Sequence, residues 1–369
     1  MNFTAAPNGS NETLYWARLA LYPLLHELST TESARFLHSI TSIQLPKLFA
    51  YLHQNRLDQL WREYLSSIEC PAEFKPWLEA SKKQALALAA QQLKERHALG
   101  ELHQLLEHHG IPYFIFKGAN LRYTLYANPT LRSSCDIDAY VPDEHKYDAI
   151  RHLAAAGYAL EVKPQNAANQ ASLTRGTIHI DLHWHLLRPG RLRVSPEPYL
   201  FSNRQPFVDG AWGLNRQASL FVMLIHPVFT KHLASPYSMT MHMVDLHHLL
   251  AVDEADWEAV VRQVADSGAK AAAWSSLLLL RLLGDEAAWT RRARYFEPGK
   301  LRQRYLKLWI ENDLVNRWFD RRFVIRGLFS LAMQDRASDM RRALRVLRKI
   351  RKAAADDTRR LQEAVYAGK

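Results

Sequence analysis

The chain has 369 residues, 48% of them hydrophobic and 23% charged, enough to bury a large core and build two or three structural units. No apolar run is long enough to cross a bilayer, because even LLLLRLL near residue 280 carries Arg281, and Arg18 interrupts the only stretch resembling a secretory leader. The net charge of +11 suits nucleotides, nucleic acid or an anionic membrane surface without choosing among them.

Cys70 and Cys135 are too few and too scattered for a disulfide scaffold or a cysteine zinc site, so a reducing cytoplasm is the expected setting. Asn8 and Asn11 fit the glycosylation pattern, which means little without secretion.

Residues 11–108 read as helix almost throughout. ETLYWARLALYPLLHEL has helical apolar spacing, and SKKQALALAAQQLKERHALGELHQLLEHHG is rich in strong helix formers and ends at Gly110, a C-cap. The pattern then changes. IPYFIFK (111–117) predicts a strand and ANLRYTLYA a helix stopped by Asn128-Pro129. CDIDAYV (135–141) predicts a strand, followed by a helix opened by Asp143 and closed by Gly157. YALEVK and GTIHIDLHWHLL supply two more strands. Helices return over 215–234, 238–252, 254–267 and 269–284, with basic ones to the end. These elements divide the chain into a helical region (1–108), an α/β core (109–213) and a helical region with a basic tail (214–369).

The tail holds ten Lys/Arg against three acids between Arg336 and Arg360, with Met340, Leu344, Leu347 and Ile350 at spacings of three and four. This predicts an amphipathic helix. A solvated face packed on its own domain is the plainer reading, and a contact with RNA or phospholipid, peripheral to a membrane, is the other.

The chemistry concentrates in the core. Residues two apart on a strand share a face, so Asp136 and Asp138 project together while Ile137 faces the core. By the same parity His179, Asp181, His183 and His185 share one face, and Ile180, Leu182 and Trp184 the other. If the two strands are neighbours, Asp181 completes a three-carboxylate cluster suited to magnesium. Upstream, Lys117-Gly118 ends a strand and enters a helix at Ala119, placing free amides and a glycine where a phosphate can approach.

In this order the parts resemble the nucleotidyltransferases of the DNA polymerase β superfamily. More closely, Lys117-Gly118-Ala119, Arg132, Asp136-Ile137-Asp138 and Asp181-Leu182-His183-Trp184 are similar to the pattern of a branch of bacterial nucleotidyltransferases, over roughly residues 95–285. The resemblance implies an α+β fold with a minimal polymerase-β-like core and mixed sheet, flanked by helical regions. It also implies that Asp136 and Asp138 hold two Mg2+ ions (or Mn2+), and that Asp181 binds one and helps deprotonate the acceptor. Gly118 and its neighbours Lys117 and Ala119 would cradle the triphosphate, with Lys117 or Arg132 neutralising pyrophosphate. His183 would orient Asp181. The nucleoside triphosphate is ATP by default, transferring AMP, and the acceptor (small molecule, peptide or RNA) is open. Two departures stand out: Ala119 replaces the usual Ser or Gly, and the loop between Gly118 and Asp136 is longer than in small superfamily members.

Other readings compete. Asp136 and Asp138 could pair with Arg122 and Arg132, and Cys135 reads as a packed thiol. His179, Asp181 and His183 suit zinc or iron in a hydrolase or oxygenase. His242, Asp245 and His248 share a helix face, where Asp245 accepts hydrogen bonds between helices, whereas His226 and His232 fall on different faces. The rival function is a non-catalytic nucleotidyltransferase-like module that recognises RNA, a membrane or a biosynthetic partner.

Overall fold

The computed structural model describes residues 12–164, 166–231, 239–312, 314 and 323–366; Asn8, Asn11 and His232 lie outside the described residues. Helices α1 (Glu12–Leu25), α2 (Thr30–His38), α3 (Leu45–Gln54), α4 (Asp58–Ser66) and α5 (Lys75–His108) come first. Ser29 and Glu32 cap α2 reciprocally, each satisfying an amide that the helix leaves free. At the end of α5 Gly110 adopts φ +63, and Ile111 N–H reaches back to the Leu106 carbonyl, the cap expected of that glycine.

The α/β core runs β1 (Phe114–Phe116), α6 (Lys117–Thr124), β2 (Ile137–Tyr140), α7 (Lys146–Ala155), β3 (Ala159–Glu161), β4 (Gln170–Arg175), β5 (Ile178–His183), α8 (Glu197–Ser202), β6 (Arg204–Pro206) and β7 (Trp212–Leu214). Its strands form one seven-stranded mixed sheet in the order β3-β4-β5-β2-β1-β7-β6. β2 lies antiparallel to β1 and parallel to β5. The mixed sheet with helical flanks agrees with expectation, but β4, β6 and β7 were not anticipated. β4 is the return strand of a hairpin with β5, and its QASLTR sequence is too polar to announce itself.

Helices then return as α9 (Arg216–Lys231), α10 (Met239–Leu249), α11 (Glu254–Asp266), α12 (Lys270–Leu283), α13 (Glu286–Arg292), α14 (Lys300–Glu311), α15 (Phe323–Ala332) and α16 (Ala337–Tyr366). No helix among the described residues is long and apolar enough to cross a membrane.

Strand parity divides the core in two. Phe114, Phe116, Tyr140 and Leu214 face a cluster shared with α1–α4 and α9–α14, while Ile115, Ile137, Ala139, Ile180, Leu182 and Trp184 face α5 and α7. Residues of all three sequence regions therefore meet in the first cluster.

The basic helix α16 forms as expected, but its burial differs from a simple amphipathic stripe. Ala343, Leu361 and Ala364 are the buried apolar positions among the described residues, whereas Leu344 is 42% exposed and Met340, Leu347 and Ile350 are half-buried. Leu344 and Leu347 line a cavity over the sheet instead of filling a core.

Candidate active site

The parallel register of β2 and β5 sets Asp138 beside Asp181, and both point to the face carrying Phe116 and Tyr140. His183, two residues beyond Asp181, shares that face. One ligand atom each from Asp138, Asp181 and His183 lie within 4.8 Å of one another, a group able to hold a metal ion. Asp136 precedes β2 and is half-buried in the same cavity. Burial first, then the charge of Asp138, pushes its carboxyl above the ordinary range, and Lys117 only partly offsets this. A divalent cation would relieve that repulsion, so the donor set suits one.

Asp138 behaves differently. Burial alone would raise its carboxyl, but the charge of Lys117 and a hydrogen bond from His183 override burial and hold it far below the usual range. Lys117 Nζ donates to Asp138 Oδ1 at 2.6 Å, and His183 Nε2 lies 2.9 Å from the same oxygen. Only the tautomer with its proton on Nε2 makes that contact attractive, which leaves His183 Nδ1 buried without a partner. Burial and the charge of Lys117 keep His183 below its usual range, consistent with a neutral ring donating to an ionised aspartate. His183 therefore orients Asp138, and not Asp181 as the sequence suggested. Asp181 instead accepts from Ser172 Oγ at 2.6 Å and Gln170 Nε2 at 3.3 Å, both on β4.

Lys117 occupies the left-handed region at φ +54, which costs a side-chain-bearing residue about 1–2 kcal/mol. The turn is held by the ion pair across the β1–β2 register, where Phe116 faces Asp138. Gly118 follows with no room for a side chain. A Cβ there would stand 2.5 Å from Arg132 Nη1 and 2.5 Å from Ser134 Oγ. The long loop before Asp136 thus brings a hydroxyl over the glycine, at the turn where Ala119 lacks one.

Arg132 is buried and committed, with Nη2 donating to Asp245 Oδ2 at 2.8 Å and Tyr126 Oη donating to Asp245 Oδ1 at 2.8 Å. Asp245 is thus an acceptor between elements, as its helix position suggested. Arg122 pairs with Glu95, so neither arginine forms the ion pair with Asp136 or Asp138 that the plainer reading required. His179 is exposed and outside the metal-competent group, so the zinc or iron triad with Asp181 and His183 does not assemble among the described residues. Cys135 is exposed, not packed.

These groups line a cavity of about 770 Å³ that also receives residues the sequence did not single out: Arg56, Ser134, Arg188, Arg191 and Thr230. Arg56, at the α3–α4 junction, holds φ +60, so two of the three left-handed non-glycine residues among the described residues border this cavity. His226 enters from α9; burial first, then Lys117's charge, holds it well below its usual range. A histidine neutral when folded and protonated when unfolded makes stability fall as pH drops below the unfolded value. Between pH about 6.5 and 5 the loss should reach about 1.4 kcal/mol per pH unit from this group, and His226→Gln should flatten the slope in urea melts.

A family model described as uncharacterised nucleotidyltransferase matches residues 41–285. No curated protein matches the chain.

Proposed function

The chain belongs to the uncharacterised nucleotidyltransferase family, and from that premise we propose a metal-dependent transfer of a nucleotidyl group, AMP from ATP by default, to an acceptor oxygen. The observation that carries this reading is the side-by-side register of Asp138 and Asp181 at the floor of the cavity. Asp136, Asp138 and Asp181 would hold Mg2+, two ions in the fullest form, with Mn2+ an alternative. When bound, the cations supply charge neutralisation at the phosphates and lower the acidity barrier of the attacking hydroxyl.

The chain's own residues supply the rest. Gly118, the amides opening α6, Ser134 Oγ and Lys117 gather at one turn, where polyphosphate oxygens would find donors. Asp181, held by Ser172 and Gln170, is placed to accept the acceptor's proton. The acceptor oxygen forms a bond to the α-phosphorus, the bond from that phosphorus to the bridging oxygen breaks, and pyrophosphate leaves with the electron pair. Lys117 exchanges Asp138 for the phosphates in this scheme, since one ammonium cannot neutralise both fully.

The Lys117–Asp138 ion pair also favours a second reading, a non-catalytic module in which lysine permanently takes the cation's place. Calorimetry with ATP and an analogue uncleavable at the α–β bridge, with and without magnesium, separates them. The transferase reading expects metal-dependent binding that Asp138→Ala abolishes; binding indifferent to both metal and variant overturns it. Gly118→Ala forces Cβ onto Arg132 and Ser134, and should weaken ATP at least about tenfold in the same titration.

A further inference from the structure

The cavity has a second charged wall. Arg188 and Arg191 lie on the loop that leaves β5, beside buried Leu186 and Leu187 and opposite Leu344 and Leu347 of α16. That loop is anchored firmly. Gly190 turns at φ +85 with its missing Cβ position 2.8 Å from Val346 Cβ of α16, an approach open only to glycine. Arg193 Nη2 donates to Asp339 at 2.9 Å, Arg193 N–H to the Ser267 carbonyl at 2.8 Å, and the buried Gln334 Nε2 to the Arg191 carbonyl at 3.0 Å.

The side chains those anchors present have no such partners. Arg122, Arg132 and Arg193 each meet a carboxylate, whereas no hydrogen bond or ion pair reaches either guanidinium of Arg188 or Arg191 among the described residues. Arg191 is half-buried, and burial with the neighbouring charge of Arg188 pushes it down to about 10; Arg188 is exposed at the rim of the cavity, where partial desolvation and the charge of Arg351 lower it. Among the described residues no carboxylate forms an ion pair with either group. Two mutually repelling guanidinium forks, carried on an anchored loop in a concave wall, are complementary to a planar or tetrahedral oxyanion, which accepts paired N–H donors.

We propose that Arg188 and Arg191 form an oxyanion-binding subsite of the cavity, distinct from the aspartate cluster, that takes a phosphate or carboxylate group carried on a skeleton with an apolar section. The leucines beside the arginines cover that section. The subsite stands whatever reaction the aspartates perform. Only the source of the anion rests on the transferase reading: with the Gly118 turn occupied by the triphosphate, the group belongs to an acidic acceptor, and otherwise it is the nucleotide's own tail.

The test is residue-resolved. Full-length protein free of metal is treated with phenylglyoxal, with and without millimolar inorganic phosphate, and arginine modification is followed by mass spectrometry. Phosphate should slow modification of Arg188 and Arg191 about tenfold while Arg262, whose side chain is 69% exposed, reacts at an unchanged rate. The same protection should persist in Asp138→Ala, so a failed metal reading leaves this result intact. Equal rates with and without phosphate at Arg188 and Arg191 overturn the subsite, as does wild-type phosphate affinity in Arg188→Gln/Arg191→Gln. That double variant removes no ion pair among the described residues and should melt with the wild type. If it loses phosphate but keeps ATP–magnesium affinity, the anion comes from the acceptor; if ATP also weakens about tenfold, the subsite holds the nucleotide's tail.

Discussion

Asp138→Asn should both end metal-dependent nucleotide turnover and destabilise the protein, whereas Asp181→Asn should end turnover with little loss of stability. The two aspartates are neighbours in register but differ in what they neutralise. Lys117 and Asp138 have side chains only 11% and 7% exposed, so asparagine leaves a buried ammonium without its anion, a loss of about 3–5 kcal/mol. Lys117 would then keep its left-handed backbone with nothing across the sheet to hold it. Asp181 is half-buried and accepts from a hydroxyl and an amide, both able to turn to an asparagine oxygen, so its change costs about 1 kcal/mol. Turnover should fall by at least about 10²–10³ in each, the scale of losing a charge that stabilises the transition state. Urea melts and release of labelled pyrophosphate read the two effects separately.

The acid limb carries the same signature. A carboxyl held below its ordinary value in the folded state contributes stability above about pH 4, the unfolded value, and loses it as pH falls toward the folded one. Asp138→Asn should flatten that limb. Adding Lys117→Met should recover part of the lost stability, because the buried charge goes with its partner, and should recover no turnover. Turnover surviving in Asp138→Asn would remove the aspartate pair from the chemistry.

The parity of the two strands was legible because it is local: Asp138 against Ile137 and Asp181 against Ile180 and Leu182 alternate with period two, and each falls on the predicted side. The Asp209-Gly210 turn, at φ +49 and +82, was equally legible as a hairpin signal and would have exposed β6 and β7. What sequence pattern could not show were partnerships across distance. Lys117 reads as a phosphate contact until the antiparallel register puts Asp138 opposite Phe116. Arg132 meets Asp245 across 113 positions, and Arg188 and Arg191 gain meaning only once α16 is seen to brace their loop. The half-exposed leucines of α16 kept helical spacing because a cavity wall, like a core, needs an apolar face.

Asp245→Asn should cost about 3–5 kcal/mol of stability and weaken ATP about tenfold, although Asp245 lies on a helix outside the sheet. Asp245 is fully buried and accepts from Arg132 Nη2 at 2.8 Å, Arg132 Nε at 3.4 Å and Tyr126 Oη at 2.8 Å. Burial works to lower Arg132, but the Asp245 carboxylate outweighs it, so the guanidinium stays charged in the interior. The same guanidinium lies over Gly118, with Nη1 donating to the Ser133 carbonyl at 3.0 Å. Releasing it therefore loosens the loop that brings Ser134 to the turn. Arg132→Met/Asp245→Leu separates structure from function. Replacing both charges with apolar groups should regain about 1–4 kcal/mol over the single change, while ATP affinity stays low because the turn has lost its guanidinium. If the double variant instead recovers ATP affinity along with stability, the pair only props the fold, and Arg132 drops out of the nucleotide site.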